Sequence, residues 1–204
     1  MAKIKQYQFN TQAVTVVTPL AETLFMCLAD VNEVSGNYGG KLIFTEEALN
    51  TKVKYKIGKG KELVGNFKDI VDNVIEESYQ ELVADGKRVS KADKIVPSID
   101  KDGNDSGKYE MSVKNQDKPR ILNTDRREEK DFNKLVANGS TMKAQLYLKP
   151  YTMQGKVGVT AYLNTALLFN VIEYGASNDM FDDDDFSASA DEFDDVEDND
   201  NEDF

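Results

Sequence analysis

Apolar and polar residues alternate along much of the chain with a period of two, the spacing that sends successive side chains to opposite faces of a strand. Gln12 to Thr18 (QAVTVVT) is rich in β-branched residues and predicts a strand ended by Pro19. Thr23 to Leu28 predicts a short buried strand, Val34 to Gly40 a loop with three glycines, and Lys41 to Thr45 the next strand. In Lys52 to Ile57 the alternation places Lys52, Lys54 and Lys56 on one face and Val53, Tyr55 and Ile57 on the other. A helix through Glu46 to Lys56 fits the same stretch, and both readings stay open. One segment has a different period. From about Lys61 to Asp85, residues Leu63, Val64, Phe67, Ile70, Val71, Val74, Ile75, Leu82 and Val83 recur at three- and four-residue spacing. That predicts one long amphipathic helix, with Gly86 just past its end.

Beyond the helix, Lys87 to Gly107 reads as a long polar connection broken by Pro97. Lys108 to Lys114 alternates again, Lys118 to Leu122 leads into a short strand, and Asp125 to Val136 predicts a short helix. Gly139 opens the last β region, where Thr141 to Met153 and Val157 to Tyr174 predict two long strands joined by a turn at Gln154-Gly155. The pattern predicts a mainly β body over residues 1–178 with one long helix.

Charge divides the chain where the alternation stops. The 204 residues carry 25 Lys and Arg against 37 Asp and Glu, a net −12. Asp179 to Phe204 holds 14 of those acids and no Lys or Arg, so the preceding body has 25 basic and 23 acidic residues, a net +2. A mildly basic body behind an acidic appendage points to a nucleic-acid partner. Residues 179–204 cannot bury enough apolar surface to fold and are expected to be a disordered tail. The lone cysteine, Cys27, lies in an apolar run and is expected to be a buried, inert thiol; one cysteine allows no intrachain disulfide, which fits a reducing cytosol. Met1 to Asn10 lacks the apolar run of a signal peptide, and no stretch is long and apolar enough for a membrane span. The sequon Asn138-Gly139-Ser140 then reads as a turn.

Much catalytic chemistry is absent. With no histidine there is no HExxH zinc motif, no Ser-His-Asp or Cys-His arrangement, and no imidazole acid–base catalysis. Gly60 to Gly65 has the glycine spacing of a phosphate loop, but Asn66-Phe67 stand where Lys-Ser/Thr must be. Asp100, Asp102, Asn104 and Asp105 resemble a calcium loop, yet Gly103 is misplaced and Met111 occupies the position of the bidentate Glu. No cofactor or metal is expected, and a binding protein is favoured over an enzyme.

Single-stranded nucleic acid calls for cations to meet phosphates and aromatic faces to meet bases. Three clusters interleave the two. Lys52, Lys54, Tyr55, Lys56, Lys59 and Lys61 form the densest. Lys114, Lys118, Arg120, Arg126 and Arg127 form a second, and Lys143, Tyr147, Lys149, Tyr151 and Lys156 a third on the last hairpin. Tyr147, Lys149 and Tyr151 share strand parity and are expected on one face, with Tyr55, Tyr147 and Tyr151 as stacking candidates. Taken singly, these residues fit half-buried sheet tyrosines and a solvated lysine face equally well. The acidic tail carries Phe181, Phe186, Phe193 and Phe204. Phe193 and the terminal Glu202-Asp203-Phe204 fit a ligand for a basic-rimmed apolar pocket on a partner, against the alternative of a plain solubility tail.

In these features the chain resembles bacteriophage single-stranded DNA-binding proteins of the OB-fold type. The resemblance rests on the tail closing in Glu202-Asp203-Phe204, and on the Asp100 to Gly107 loop that leads through Lys108-Tyr109-Glu110-Met111-Ser112-Val113-Lys114 to Lys118-Pro119-Arg120-Ile121. It rests further on the hairpin Gly139 to Gly175, with Gly155-Lys156-Val157-Gly158-Val159-Thr160-Ala161-Tyr162-Leu163 as the turn and strand that close the barrel. The match covers roughly Tyr38 to Gly175 plus the tail. It implies an OB-fold-like β-barrel with the long helix inserted between strands, and non-catalytic binding of single-stranded DNA in phage replication and recombination. It also implies a tail that recruits replication proteins, such as a polymerase, helicase/primase or nuclease, and competes with DNA for the groove. Members often carry a tryptophan near the DNA; here tyrosine and phenylalanine take that place, since the chain has none. The expected location is the cytoplasm of the bacterial host, and homodimer formation is left open. The rivals are a phage protein-interaction or DNA-mimic protein that does not bind DNA, and a magnesium nuclease.

Overall fold

The computed structural model describes residues 7–100 and 102–173; the expected 179–204 tail and its boundary lie outside them. The chain forms β1 (Val14–Val17), β2 (Ala21–Asn32), β3 (Asn37–Phe44), α1 (Glu46–Leu49), β4 (Lys52–Ile57), β5 (Leu63–Asn66) and α2 (Phe67–Ala84). There follow β6 (Ser90–Lys91), β7 (Val96–Ile99), β8 (Asp105–Asn115), β9 (Arg120–Leu122), β10 (Thr141–Met153) and β11 (Lys156–Asn170).

Five of these strands close on themselves. β2 pairs antiparallel with β3, β3 with β8, and β10 with both β11 and β2. The ring is completed by β8 and β11, which run parallel at Tyr162 and Lys114. That connectivity is an OB-fold-like barrel, in which one parallel contact closes an otherwise antiparallel Greek-key sheet. β1 and β2 act as one bent strand broken at Pro19, since both pair with β10. Beyond β1 the sheet runs on through β4 to β5 as a side arm.

Alternation fills the barrel. Met142, Ala144, Leu146 and Leu148 of β10 point inward with Val159, Ala161 and Leu163 of β11, Met111 and Val113 of β8, and Leu42 and Phe44 of β3. α2 packs against β10 and β11 and adds Phe67, Ile70, Val71, Val74 and Ile75 to the same core. Its Phe67 ring meets Phe44 at 5.3 Å between centroids. Asp85 and Gly86 end the helix: Gly86 (φ +72°) donates to the Val83 carbonyl at 2.9 Å and Lys87 to that of Leu82 at 2.9 Å, a Schellman closure. Gln154 (φ 52°) and Gly155 (φ 74°) form the two-residue turn between β10 and β11, with both residues in the left-handed region that the hairpin twist favours.

The structure redraws several expected boundaries. The helix begins at Phe67; Leu63 and Val64 belong to β5, where their spacing with the helix stripe is fortuitous and they stand exposed beside β4. Glu46 to Lys56 resolves into one helical turn, α1, followed by strand β4. The expected Val34 to Gly40 loop is half strand, because β3 starts at Asn37 and uses Gly39 and Gly40 within it. The polar Lys87 to Gly107 connection contains β6 and β7, and Pro97 is tolerated because β7 pairs only with β8, on its edge. No helix forms in Asp125 to Val136. Arg126 adopts φ 60°, and the Asn123 side chain accepts from the Arg127 N–H at 3.0 Å, so the chain folds back as a turn. Cys27 is half-buried at a bulge in β2, where Phe25 has φ 52° and is exposed.

Gly39 is the tightest point of the ring. It has φ +122°, and a Cβ there would lie 2.2 Å from the Val113 carbonyl oxygen. Gly36, in the β2–β3 turn, has φ +64° with open space around it. Gly39→Ala is expected to cost more than about 3 kcal/mol in chemical denaturation, and Gly36→Ala only about 1 kcal/mol. Equal losses would show that β3 and β8 can separate at little cost.

Candidate nucleic-acid interface

The outer faces of β8, β10 and β11 form the floor of a groove of about 2030 Å³. Strand parity decides what stands on that floor. Inward residues of β10 are the even-numbered ones, so Tyr147, Lys149 and Tyr151 face out, as their spacing predicts. In β11 Thr160 and Tyr162 face out, and in β8 Glu110, Ser112 and Lys114.

Register aligns some of these residues across strands. Lys56 of β4 stands opposite Thr15 of β1, Thr15 opposite Tyr147, Tyr147 opposite Tyr162, and Tyr162 opposite Lys114. Directly paired residues share a face. The result is a transverse row, cation–hydroxyl–phenol–phenol–cation, across the outside of the sheet. With neighbouring strands ~4.8 Å apart, its ends are roughly 19 Å from one another along the surface. The Tyr147 and Tyr162 rings lie 6.4 Å apart between centroids, tilted by 44°, and Tyr147 is 38 % exposed. The exposed Tyr147 ring and the half-buried Tyr162 ring beside it offer faces that can take a planar, apolar partner such as a base.

Tyr151 sits at the turn end of the same strand, paired with Gly158. A Cβ on Gly158 would come within 2.9 Å of the Tyr151 ring. The glycine therefore lets the ring lie flat on the β11 backbone and fixes its direction along the groove floor.

The walls come from elsewhere in the sequence. One is the segment after α2, with Arg88 and Lys94; another is the N-terminal stretch with Tyr7 and Phe9, whose rings meet edge to face at 5.0 Å. A single carboxylate on α2 holds that stretch. Glu81 accepts from the backbone N–H groups of Asn10 at 2.7 Å and Thr11 at 3.0 Å, and from the Thr11 hydroxyl at 3.0 Å. Burial alone would raise the Glu81 carboxyl, but these donors outweigh it and hold it below the usual carboxylate range. The Tyr7 hydroxyl donates to Asp85 at 2.6 Å, which raises the phenol above its ordinary value.

Of the residues singled out in the sequence, the groove gathers Lys114, Tyr147, Lys149 and Tyr151. Lys56 joins them through the transverse row. The others lie apart. Lys52 and Lys54 are on the outer face of the side arm, where Lys54 pairs with Glu62 at 2.8 Å, and Lys59 is in the turn beyond it. Tyr55 faces inward, packed on the core and against Gly65, so its ring is no open platform. Lys118 donates to the Phe132 carbonyl at 3.1 Å, and Arg120 pairs with Glu128 at 3.1 Å; both brace the β8–β10 connection. Lys143 lies over the Phe169 ring, 6.0 Å from its centroid, outside the groove. Phe193, Glu202, Asp203 and Phe204 fall outside the described residues. Sequence reading missed Tyr162 and Lys94. Tyr162 was within reach, because the parity that buries Val159, Ala161 and Leu163 turns it outward; Lys94 lies in an irregular segment with no period to place it.

The calcium-like loop is a turn: the Asp100 carboxylate accepts from the N–H groups of Asp102 at 2.8 Å and Asn104 at 2.9 Å. No helix among the described residues is long and apolar enough to cross a membrane.

No protein-family model matches the chain, and no curated protein matches it in sequence. Solved structures do match in fold. The chain is similar to gp2.5, a single-stranded DNA-binding protein encoded by bacteriophage T7, at TM-score 0.57 and 13% identity over 90% of this chain and 98% of that one. It is similar also to the single-stranded DNA-binding protein of bacteriophage Enc34 in complex with single-stranded DNA, at TM-score 0.53 and 14% identity over 85% of this chain and 98% of that one. A C-terminal truncation of the Enc34 protein matches at TM-score 0.51 and 11% identity, over 85% and 98% of the two chains. At such identities the likeness is one of fold, and nearly the whole length of each matched chain takes part in it. The barrel, its inserted helix and its side arm thus make up the fold of phage single-stranded DNA-binding proteins, the group that the sequence itself resembles.

Proposed function

We propose that this chain is a non-catalytic protein that binds single-stranded DNA largely without regard to sequence, in phage DNA replication and recombination inside the bacterial host. The observation that carries the reading is the transverse row that runs from Lys56 on the side arm to Lys114 on the floor of the groove. It sets an exposed phenol, Tyr147, and a half-buried one, Tyr162, between cations at a spacing that suits a few nucleotides of an unpaired strand. Tyr147 and Tyr162 stack on bases, and Tyr151 extends the platform along the groove. Lys56, Lys114 and Lys149 meet phosphates, with Lys52 and Lys59 continuing the cationic surface along the side arm. The fold shared with proteins named for this activity, one of them in complex with single-stranded DNA, supports the reading. A duplex fits less well, because its bases are stacked on one another and offer no free faces to the tyrosines.

The acidic tail has two partners in this proposal. Its −14 charge competes in cis for the cationic groove, favoured by the high local concentration that a tether provides. Its aromatic residues, Phe193 and the terminal Glu202-Asp203-Phe204, recruit a replication protein in trans.

Fluorescence anisotropy with a labelled dT oligonucleotide tests the central claim. Binding is expected to be tighter for single strand than for duplex. Its logarithm should fall with the logarithm of salt concentration by about 0.7 per phosphate neutralised. Tyr147→Ala and Tyr162→Ala should each weaken binding by about 1–3 kcal/mol. Salt-insensitive binding, or a preference for duplex, would refute the reading, and no binding even without the tail would favour the DNA-mimic alternative.

Removal of 179–204 is expected to tighten DNA binding severalfold at low salt, with the gain shrinking as salt screens the tail. Equal affinities at low salt would rule out competition in cis. Deletion of Phe204 alone should leave DNA affinity within about twofold, as it removes no tail charge but the terminal ring, while reducing capture of a phage polymerase, helicase or nuclease in pull-downs. Undiminished capture would deny the terminal ring an anchoring role.

A further inference from the structure

We propose that Lys94, in the wall of the groove, and Lys114, on its floor beside the tyrosine platform, together form a phosphate-anchoring subsite. The proposal rests on the reading of the groove as a single-stranded DNA site. Lys94 lies between β6 and β7, half-buried, and Lys114 lies on the outer face of β8; both line the groove. Their ammonium groups are close enough to repel one another. Long cationic side chains are rarely buried without a partner, and an exposed second cation beside half-buried Lys94 raises the cost further. Yet among the described residues the ion pairs engage other lysines, at Lys41, Lys54, Lys68, Lys91, Lys108 and Lys134. A site that is unfavourable when empty becomes favourable when an anion enters between the two cations.

The neighbouring carboxylates do not supply that anion. Glu110, from β8, is held by Lys41 at 2.7 Å. Asp93 acts instead on Lys68 and Lys91. The other charged groups lining the groove, Lys87, Arg88 and Lys149, are cations that add to the demand for an anion. The phenols there are Tyr147, Tyr151, Tyr162 and Tyr7, and the Tyr7 hydroxyl is engaged with Asp85.

Protonation then becomes part of binding. Burial first, and Lys114 second, push the Lys94 ammonium down to about 8. It is mostly charged at neutral pH and loses its proton as the pH passes through that value. A phosphate beside it favours the charged form, so binding in mildly alkaline solution takes up protons. Stability has the opposite sign. The folded-state value lies below the ordinary lysine value of 10.5, so the charged form destabilises the fold. Folding stability from this group therefore rises with pH between about 8 and 10.5, over the range in which DNA affinity falls.

Two measurements on the full chain test this. In anisotropy with a dT oligonucleotide, wild-type affinity is expected to fall severalfold between about pH 7 and pH 9.5. Lys94→Met should bind severalfold more weakly at pH 7 with a flattened profile, and Lys94→Arg, whose charge does not titrate there, should keep the affinity with the same flat profile. In NMR, the titration midpoint of the Lys94 side chain should rise by about one unit or more with inorganic pyrophosphate, and not with sodium chloride of equal ionic strength. If Lys94→Met binds like wild type at every pH while Tyr147→Ala still weakens binding, the subsite is refuted and the DNA-binding reading survives. If the chain binds no DNA with or without its tail, yet pyrophosphate raises the midpoint, the anion subsite stands and the DNA reading falls. An unmoved midpoint overturns the subsite outright.

Discussion

The parallel contact between β8 and β11 is the constraint from which the rest of the molecule follows. It closes the sheet into a ring, and closure fixes the register of every strand in that ring. Once register is fixed, the two-residue period leaves no choice about faces. A shift of one residue in β10 would turn Leu146 and Leu148 out to water and Tyr147 and Lys149 into the core, which is far too costly to be populated. The binding face is therefore specified by the core: hydrophobic burial on the inside positions the aromatic and cationic groups on the outside.

Much of this was legible in the chain, and the limits have physical causes. The two long C-terminal strands and their turn could be read because each is long and largely alternating, and left-handed turn residues join them. The same parity was sufficient to place Tyr147, Lys149 and Tyr151 together. Leu63 and Val64 misled because an exposed edge strand that abuts a helix can fall on the helix period by chance. Arg126 misled in the other direction: a single left-handed residue turns a stretch of helix-compatible composition into a hairpin, and arginine gives no warning of it. Tyr55 shows the limit of cluster reasoning. Its neighbours Lys54 and Lys56 are solvent-facing, but parity alone cannot say that its own face meets the core. The groove walls were out of reach because they join residues far apart in sequence through irregular segments.

The electrostatics of the groove differ from those of the remaining surface. Elsewhere on the body, Lys68, Lys91 and Lys134 meet carboxylates in exposed pairs that contribute little to stability. In the groove the cations outnumber the two acids, Asp93 and Glu110, and Glu110 is paired with Lys41. A small net charge over the body thus conceals a local excess, and the local excess governs what the groove attracts.

The latch at Glu81 has a consequence for the order of assembly. It joins a strap from the first dozen residues to the middle of the chain, while the groove floor is built from strands near the end of the folded part. No contiguous half of the sequence contains the floor and both walls. During synthesis the strap can dock on α2 as soon as the helix has left the ribosome, but it then borders an empty space until β10 and β11 arrive. The finished groove accordingly requires strap, helix and barrel together, so a nascent chain, or one cut short within the barrel, has no complete groove.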